Sequence, residues 1–104
     1  SKCAGEQRMT RITIDKDLLS VSARGHAGFD RTGRDIVCAA ASMLMFALCA
    51  FAEENGGAGF TEGDLFRVEF PAEENDYLFG GFDAICEGLR LLADRYPDHV
   101  SVEG

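Results

Sequence analysis

Basic residues are scarce in this chain. Ten lysines and arginines stand against 18 aspartates and glutamates over 104 residues, a formal net charge of −8. Nucleic-acid binders carry positive stripes that meet phosphate, so the deficit argues against DNA or RNA as a direct ligand. It suits a basic polypeptide partner, although acidity also serves solubility alone. The four cysteines, Cys3, Cys38, Cys49 and Cys86, include no Cys-x-x-Cys pair, and neither histidine lies at finger-like spacing from one. That argues against a zinc finger and a thioredoxin-type site, and no metal is expected. Cys38 and Cys49 are eleven residues apart, ~16 Å along a helix, beyond disulfide reach. Reduced thiols and a cytoplasmic location are the expectation. No leader pattern is visible: residues 1–8 are short and polar and read as a disordered tail, leaving 9–104 as one domain. Repeats, low-complexity runs and linkers are absent. Only one long apolar run exists, Ile36 to Ala52, in which Ser42 is the sole polar residue. Alanine-rich and at the short limit of a bilayer span, it reads as a buried helix and not a membrane segment.

What is present reads as an α+β domain. Arg11 to Asp15 alternates through Ile12 and Ile14, Lys16-Asp17 forms a tight turn, and Leu18 to Arg24 alternates through Leu19, Val21 and Ala23, predicting a β-hairpin. Ala27 to Arg34 has loop chemistry, with Gly28 and Gly33 around polar residues. A helix runs from Asp35, its N-cap, to about Glu54, and stops at Asn55-Gly56-Gly57. Ala58 to Gly63 reads as a connection, Asp64 to Phe70 as a strand, and Ala72 to Asp76 as an acidic loop. Phe82 to Tyr96 carries apolar residues at helical spacing, and His99 to Glu103 is a last strand. The expected order is β-β-α-β-α-β, a small mostly antiparallel sheet with two helices on one face. The first helix, apolar all round, has Met43, Met45 and Phe46 pointing in several directions, enough to pack on the sheet and also cover a partner subunit.

The chemistry concentrates between Gly25 and Ser42. A thiol is a useful nucleophile only as thiolate, and a helix N-terminus or a nearby imidazole makes one near neutral pH. Cys38 falls in the first turn of the long helix, and His26 comes just past the end of the second strand, twelve residues earlier. First-turn amides favour a thiolate and can donate to an oxyanion on an attacked carbonyl. Read blandly, Cys38 is a small core residue, His26 a structural histidine, and His99 peripheral. Asp35 serves as helix cap, or orients His26 as the third member of a triad does. Ser42, one turn beyond Cys38, lines a pocket or bonds back to the Cys38 carbonyl. Arg31 and Arg34 pair with Asp30 or Asp35, or with a substrate carboxylate. Gly25, Gly28 and Gly33 let the loop close over an extended peptide.

Gly25-His26-Ala27, then Gly33 and Asp35-Ile36-Val37-Cys38-Ala39-Ala40-Ala41-Ser42, resemble the ribosomal-processing cysteine protease (Prp) family, in a pattern covering the chain from Met9 onward. The resemblance implies a cytoplasmic, homodimeric bacterial endopeptidase. Such an enzyme removes a short N-terminal extension from the large-subunit ribosomal protein numbered twenty-seven, without a cofactor. It places the nucleophile on Cys38, the histidine on His26, the family aspartate on Asp35, and family glycines on Gly25 and Gly33. The loop 27–34 would order on substrate. Arg34 stands where a lysine is more usual and keeps the charge, and Ala41 is smaller than the usual valine. A second class stays open, a non-catalytic dimeric ribosome-associated binding module of the same fold. Thiol redox chemistry is disfavoured, since no resolving cysteine neighbours Cys38.

Overall fold

A computed structural model of the protein describes residues 9–25, 36–73 and 75–104. The elements are β1 (Thr10–Asp15), β2 (Ser20–Arg24), α1 (Ile36–Glu54), β3 (Ala58–Glu62), β4 (Leu65–Glu69), α2 (Asp76–Arg95) and β5 (Val100–Glu103). They form a five-stranded sheet in the order β3-β4-β2-β1-β5. Every neighbouring pair is antiparallel except β1 and β5, which run parallel. The α+β class and the mostly antiparallel sheet agree with the sequence reading.

Register explains why the sheet has one wet and one dry face. Ile14 pairs with Val21, Val21 with Val68, and Thr10 with Val100, so these side chains share a face. That face is buried, with Val21 and Val68 fully so, whereas Arg11 and Thr13, pointing the other way, are exposed. Alternation with period two makes this separation. Both helices close the dry face. Val37, Met45, Leu48 and Ala52 of α1 and Leu78, Phe82, Cys86 and Leu89 of α2 join the strand residues in one core. Phe70 stacks edge-on against Phe82, with centroids 5.3 Å apart. Packing on sheet and helix accounts for one side of α1, about a third of it, while Ile36, Met43 and Phe46 on the other side stay exposed, so the helix is less enclosed than its all-round apolar sequence suggested.

Three boundaries differ from expectation. The predicted connection 58–63 is a strand, β3, paired with β4 across the turn Gly63-Asp64. The helix predicted from Phe82 starts six residues earlier, capped by Asn75, whose side chain accepts from the amides of Tyr77 at 2.9 Å and Leu78 at 3.4 Å. Gly80 and Gly81 both lie inside α2, and position 81 is glycine because a Cβ there would overlap the Phe51 ring. The hairpin turn holds four residues, 16–19, where a tight two-residue turn was expected. Asp15 shapes it by accepting from the amides of Asp17 and Leu18 at 3.0 and 3.1 Å. The end of α1 falls where predicted, with the Asn55 side chain bonded to the Phe51 carbonyl at 2.8 Å and the Gly57 amide to that of Ala52 at 2.7 Å.

Candidate active site

The site is assembled from the start of α1, the end of β2 and the β3–β4 hairpin. Cys38 is the third residue of α1 and is 8% exposed. The amides of a helix's first turn point out of its end, and the aligned peptide dipoles put partial positive charge there. Those two features favour a thiolate over a thiol at this position.

Cys38 borders a pocket of about 210 Å³. Ala41, Ser42, Met45 and Phe46 of α1 form one wall, Ala23, Arg24 and Gly25 another, and Thr61, Asp64 and Phe66 a third, with Thr10 beside them. The spacing 38, 41, 42, 45 is one face of a helix, which is why sequence neighbours at three and four converge here. Phe46 and Phe66 meet edge to face across the pocket wall, centroids 5.9 Å apart. Among the described residues the surface is mostly carbon, with charge only at Arg24 and Asp64, which pair at 3.1 Å. Such a cleft buries an apolar side chain and presents a thiol next to it.

Gly25 sits at the hinge between β2 and the segment that follows. Its φ is +81°, and a Cβ would lie 2.7 Å from the Met9 carbonyl oxygen. Only glycine satisfies both constraints.

Of the residues singled out in the sequence, the structure brings Gly25, Cys38 and Ser42 to one pocket. His26, Gly28, Gly33, Arg34 and Asp35 lie outside the described residues, as does the segment 1–8. Thr61 escaped sequence reasoning because β3 did, and Asp64 and Phe66, read as part of a strand, were not placed at the site because the strand pairing that brings them there is tertiary. The Gly63-Asp64 dipeptide between two short runs was the signal that could have found them. His99 is exposed near the start of β5 and does not border the pocket.

The other two described cysteines lie away from the pocket lining. Burial pushes the Cys86 thiol up to about 11. Cys49 is also raised, first by burial and then by the nearby Glu53 carboxylate. Both are free thiols, and both stay protonated at neutral pH.

The family model of cysteine protease Prp matches residues 9–101. Ribosomal processing cysteine protease Prp of Mycoplasma pneumoniae is 30% identical over 96 residues, spanning 91% of this chain and 94% of the relative. Its counterpart from Mycoplasma genitalium is 32% identical over 99 residues, spanning 90% and 94%. Among solved structures, the Prp protease of S. aureus with a covalently linked product peptide superposes with a TM-score of 0.71 at 20% identity, over 91% of this chain and 96% of that one. A Streptococcus mutans protein gives 0.71 at 24% identity, over 96% and 95%. A thiol at a helix start beside an apolar cleft is what thiol proteolysis requires, and by the family match this chain belongs to the cysteine protease Prp family.

Proposed function

We propose that this protein is a cytoplasmic endopeptidase that removes the N-terminal extension of a basic ribosomal protein, the large-subunit protein numbered twenty-seven, through a Cys38/His26 acyl-enzyme. The observation that carries the reading is Cys38 at the third position of α1, against an apolar pocket walled by Phe46 and Phe66. Two curated relatives are named as ribosomal processing proteases, and the S. aureus relative is seen with a covalently linked product peptide.

The Cys38 thiolate attacks the scissile carbonyl carbon, forming a C–S bond and an oxyanion that first-turn amides stabilise. Collapse breaks the C–N bond while the His26 imidazolium gives its proton to the leaving amine. His26 then takes a proton from water, whose oxygen attacks the thioester carbonyl and releases the acid and the thiolate. Asp35 caps α1 and steers His26 or the peptide. Gly25, Gly28, Gly33 and Arg34 belong to the segment that receives substrate, and Ser42 lines its pocket. A bulky apolar side chain before the cut suits the carbon-lined cleft, and the net charge of −8 suits a basic substrate.

A homodimer is part of the proposal. Ile36, Ala39, Met43, Phe46, Ala47 and Ala50 are exposed and recur at helical spacing along α1, with Ile36 and Met43 each 65% exposed. Contiguous apolar surface of this kind marks a contact site.

The test is mass spectrometry of the ribosomal protein from the same genome, carrying its extension, after incubation with wild type, Cys38→Ser or His26→Ala. A single cut made by wild type and lost in both variants, with folding retained, is the expected result. Normal turnover by Cys38→Ser would refute the nucleophile. A folded wild type that cuts nothing would favour the binding module.

A further inference from the structure

The end of β2 is held from the side by the β3–β4 hairpin, and no step of the proteolysis described above uses that contact. Arg24 and Leu65 form the last register pair between β2 and β4. One residue further, the Gly25 amide donates to the Asp64 carbonyl at 3.4 Å, extending the ladder past the strand end. The Asp64 carboxylate meets Arg24 Nη1 at 3.1 Å. Asp64 therefore holds two consecutive residues, one through its side chain and one through its backbone. On the opposite side the Met9 carbonyl lies so close that a Cβ on Gly25 would overlap it. His26 is the next residue in the chain. Arg24, Gly25, Asp64 and Cys38 all border the same pocket.

We propose that Asp64 is a positioning residue for the thiol chemistry: it latches the Arg24-Gly25 end of β2 and so fixes the point from which the chain continues into His26. This rests on the Cys38/His26 reading above. The geometry gives Asp64 leverage because a small displacement of a catalytic group costs rate far more than it costs binding. The latch is an exposed ion pair, with side chains 57% and 51% accessible, so its effect is bounded. An exposed pair is a weak interaction, so its loss can lower the rate by no more than about fivefold.

The experiment compares wild type, Asp64→Ala, Arg24→Ala and the exchanged double variant Arg24→Asp/Asp64→Arg. Three readouts are taken: kcat and KM on the extension peptide, the pH profile of Cys38 alkylation by iodoacetamide, and the thermal midpoint. Both single variants should melt close to wild type, lose kcat about three- to fivefold with KM within about twofold, and shift the low-pH limb of alkylation upward. The exchanged pair should restore both activity and profile. Unchanged kcat and profile in Asp64→Ala would overturn the proposal. So would a rise in KM alone that the exchange fails to rescue, because Asp64 would then be reading substrate charge directly. If wild-type Cys38 alkylates no faster than Cys49 and Cys86, the nucleophile reading itself fails, and the positioning claim goes with it. If that advantage is present and survives Asp64→Ala, only the positioning claim falls.

Discussion

Replacing Gly25 with alanine should cost more than any comparable exchange on the surface, and two other glycines calibrate the cost. At Gly25 the backbone has φ +81°, and the new Cβ would lie 2.7 Å from the Met9 carbonyl oxygen. A left-handed conformation costs an L-residue about 1–2 kcal/mol. The overlap is with the backbone just before β1, next to the Thr10 amide that donates to the His99 carbonyl, and backbone cannot swing aside as a side-chain tip would; overpacking of this kind adds about 1–3 kcal/mol. Gly63 also has a left-handed φ, +63°, but nothing lies within 4 Å of its Cβ position, so Gly63→Ala carries the conformational cost alone. Gly80 lies inside α2 with open space around it, so Gly80→Ala should stabilise by about 0.5–1 kcal/mol through helix propensity. Urea unfolding of the three variants should therefore rank Gly80→Ala above wild type, Gly63→Ala below it, and Gly25→Ala lowest, about 1–3 kcal/mol under Gly63→Ala. Equal losses at Gly25 and Gly63 would show that Met9 yields, and would refute the claim that Gly25 is wedged against β1.

Two further predictions concern the surfaces around the site. Met43→Glu puts a charge in the middle of the exposed apolar stripe of α1; under the proposed homodimer, sedimentation equilibrium should show dimeric wild type and a folded monomeric variant, and a variant that stays dimeric would place the interface elsewhere. Ala23→Leu fills part of the pocket from the β2 side, and should raise KM for peptides with a bulky residue before the cut by about tenfold, with a smaller effect for peptides carrying alanine there. A KM unchanged for both peptides would show that the pocket does not receive that side chain.

How much of this was legible in the sequence depends on how local the cause was. The first helix was placed correctly because its signals are all local: a seventeen-residue apolar run and an Asn-Gly-Gly stop. The position of Cys38 in its first turn followed directly. The strand β3 was invisible because Ala58-Gly59-Phe60-Thr61-Glu62 shows no alternation of apolar side chains. Gly59 is small because the sulfur of Cys49 occupies the space a side chain would need, a tertiary fact with no local trace. The same holds for Gly81 against Phe51, which hid the first turn and a half of α2. Of the twelve residues that line the pocket, only Gly25, Cys38 and Ser42 were foreseen as site residues; Thr61 was lost with β3, and Asp64 and Phe66 were read only as part of a strand. The parallel pairing of β1 with β5 joins residues some ninety positions apart, where periodicity carries no information.

The most direct test of the central claim is the pH dependence of thiol alkylation, resolved residue by residue. Native protein would be exposed briefly to iodoacetamide at a series of pH values, quenched, digested and mapped by mass spectrometry. Cys86, held up to about 11, and Cys49, also raised, serve as internal references that ionise only at alkaline pH. An activated Cys38 at a helix start should label well below pH 8 while both references stay unmodified. Labelling of Cys38 only in step with Cys49 and Cys86 would mean an inert core thiol, and would contradict the assignment of Cys38 as nucleophile.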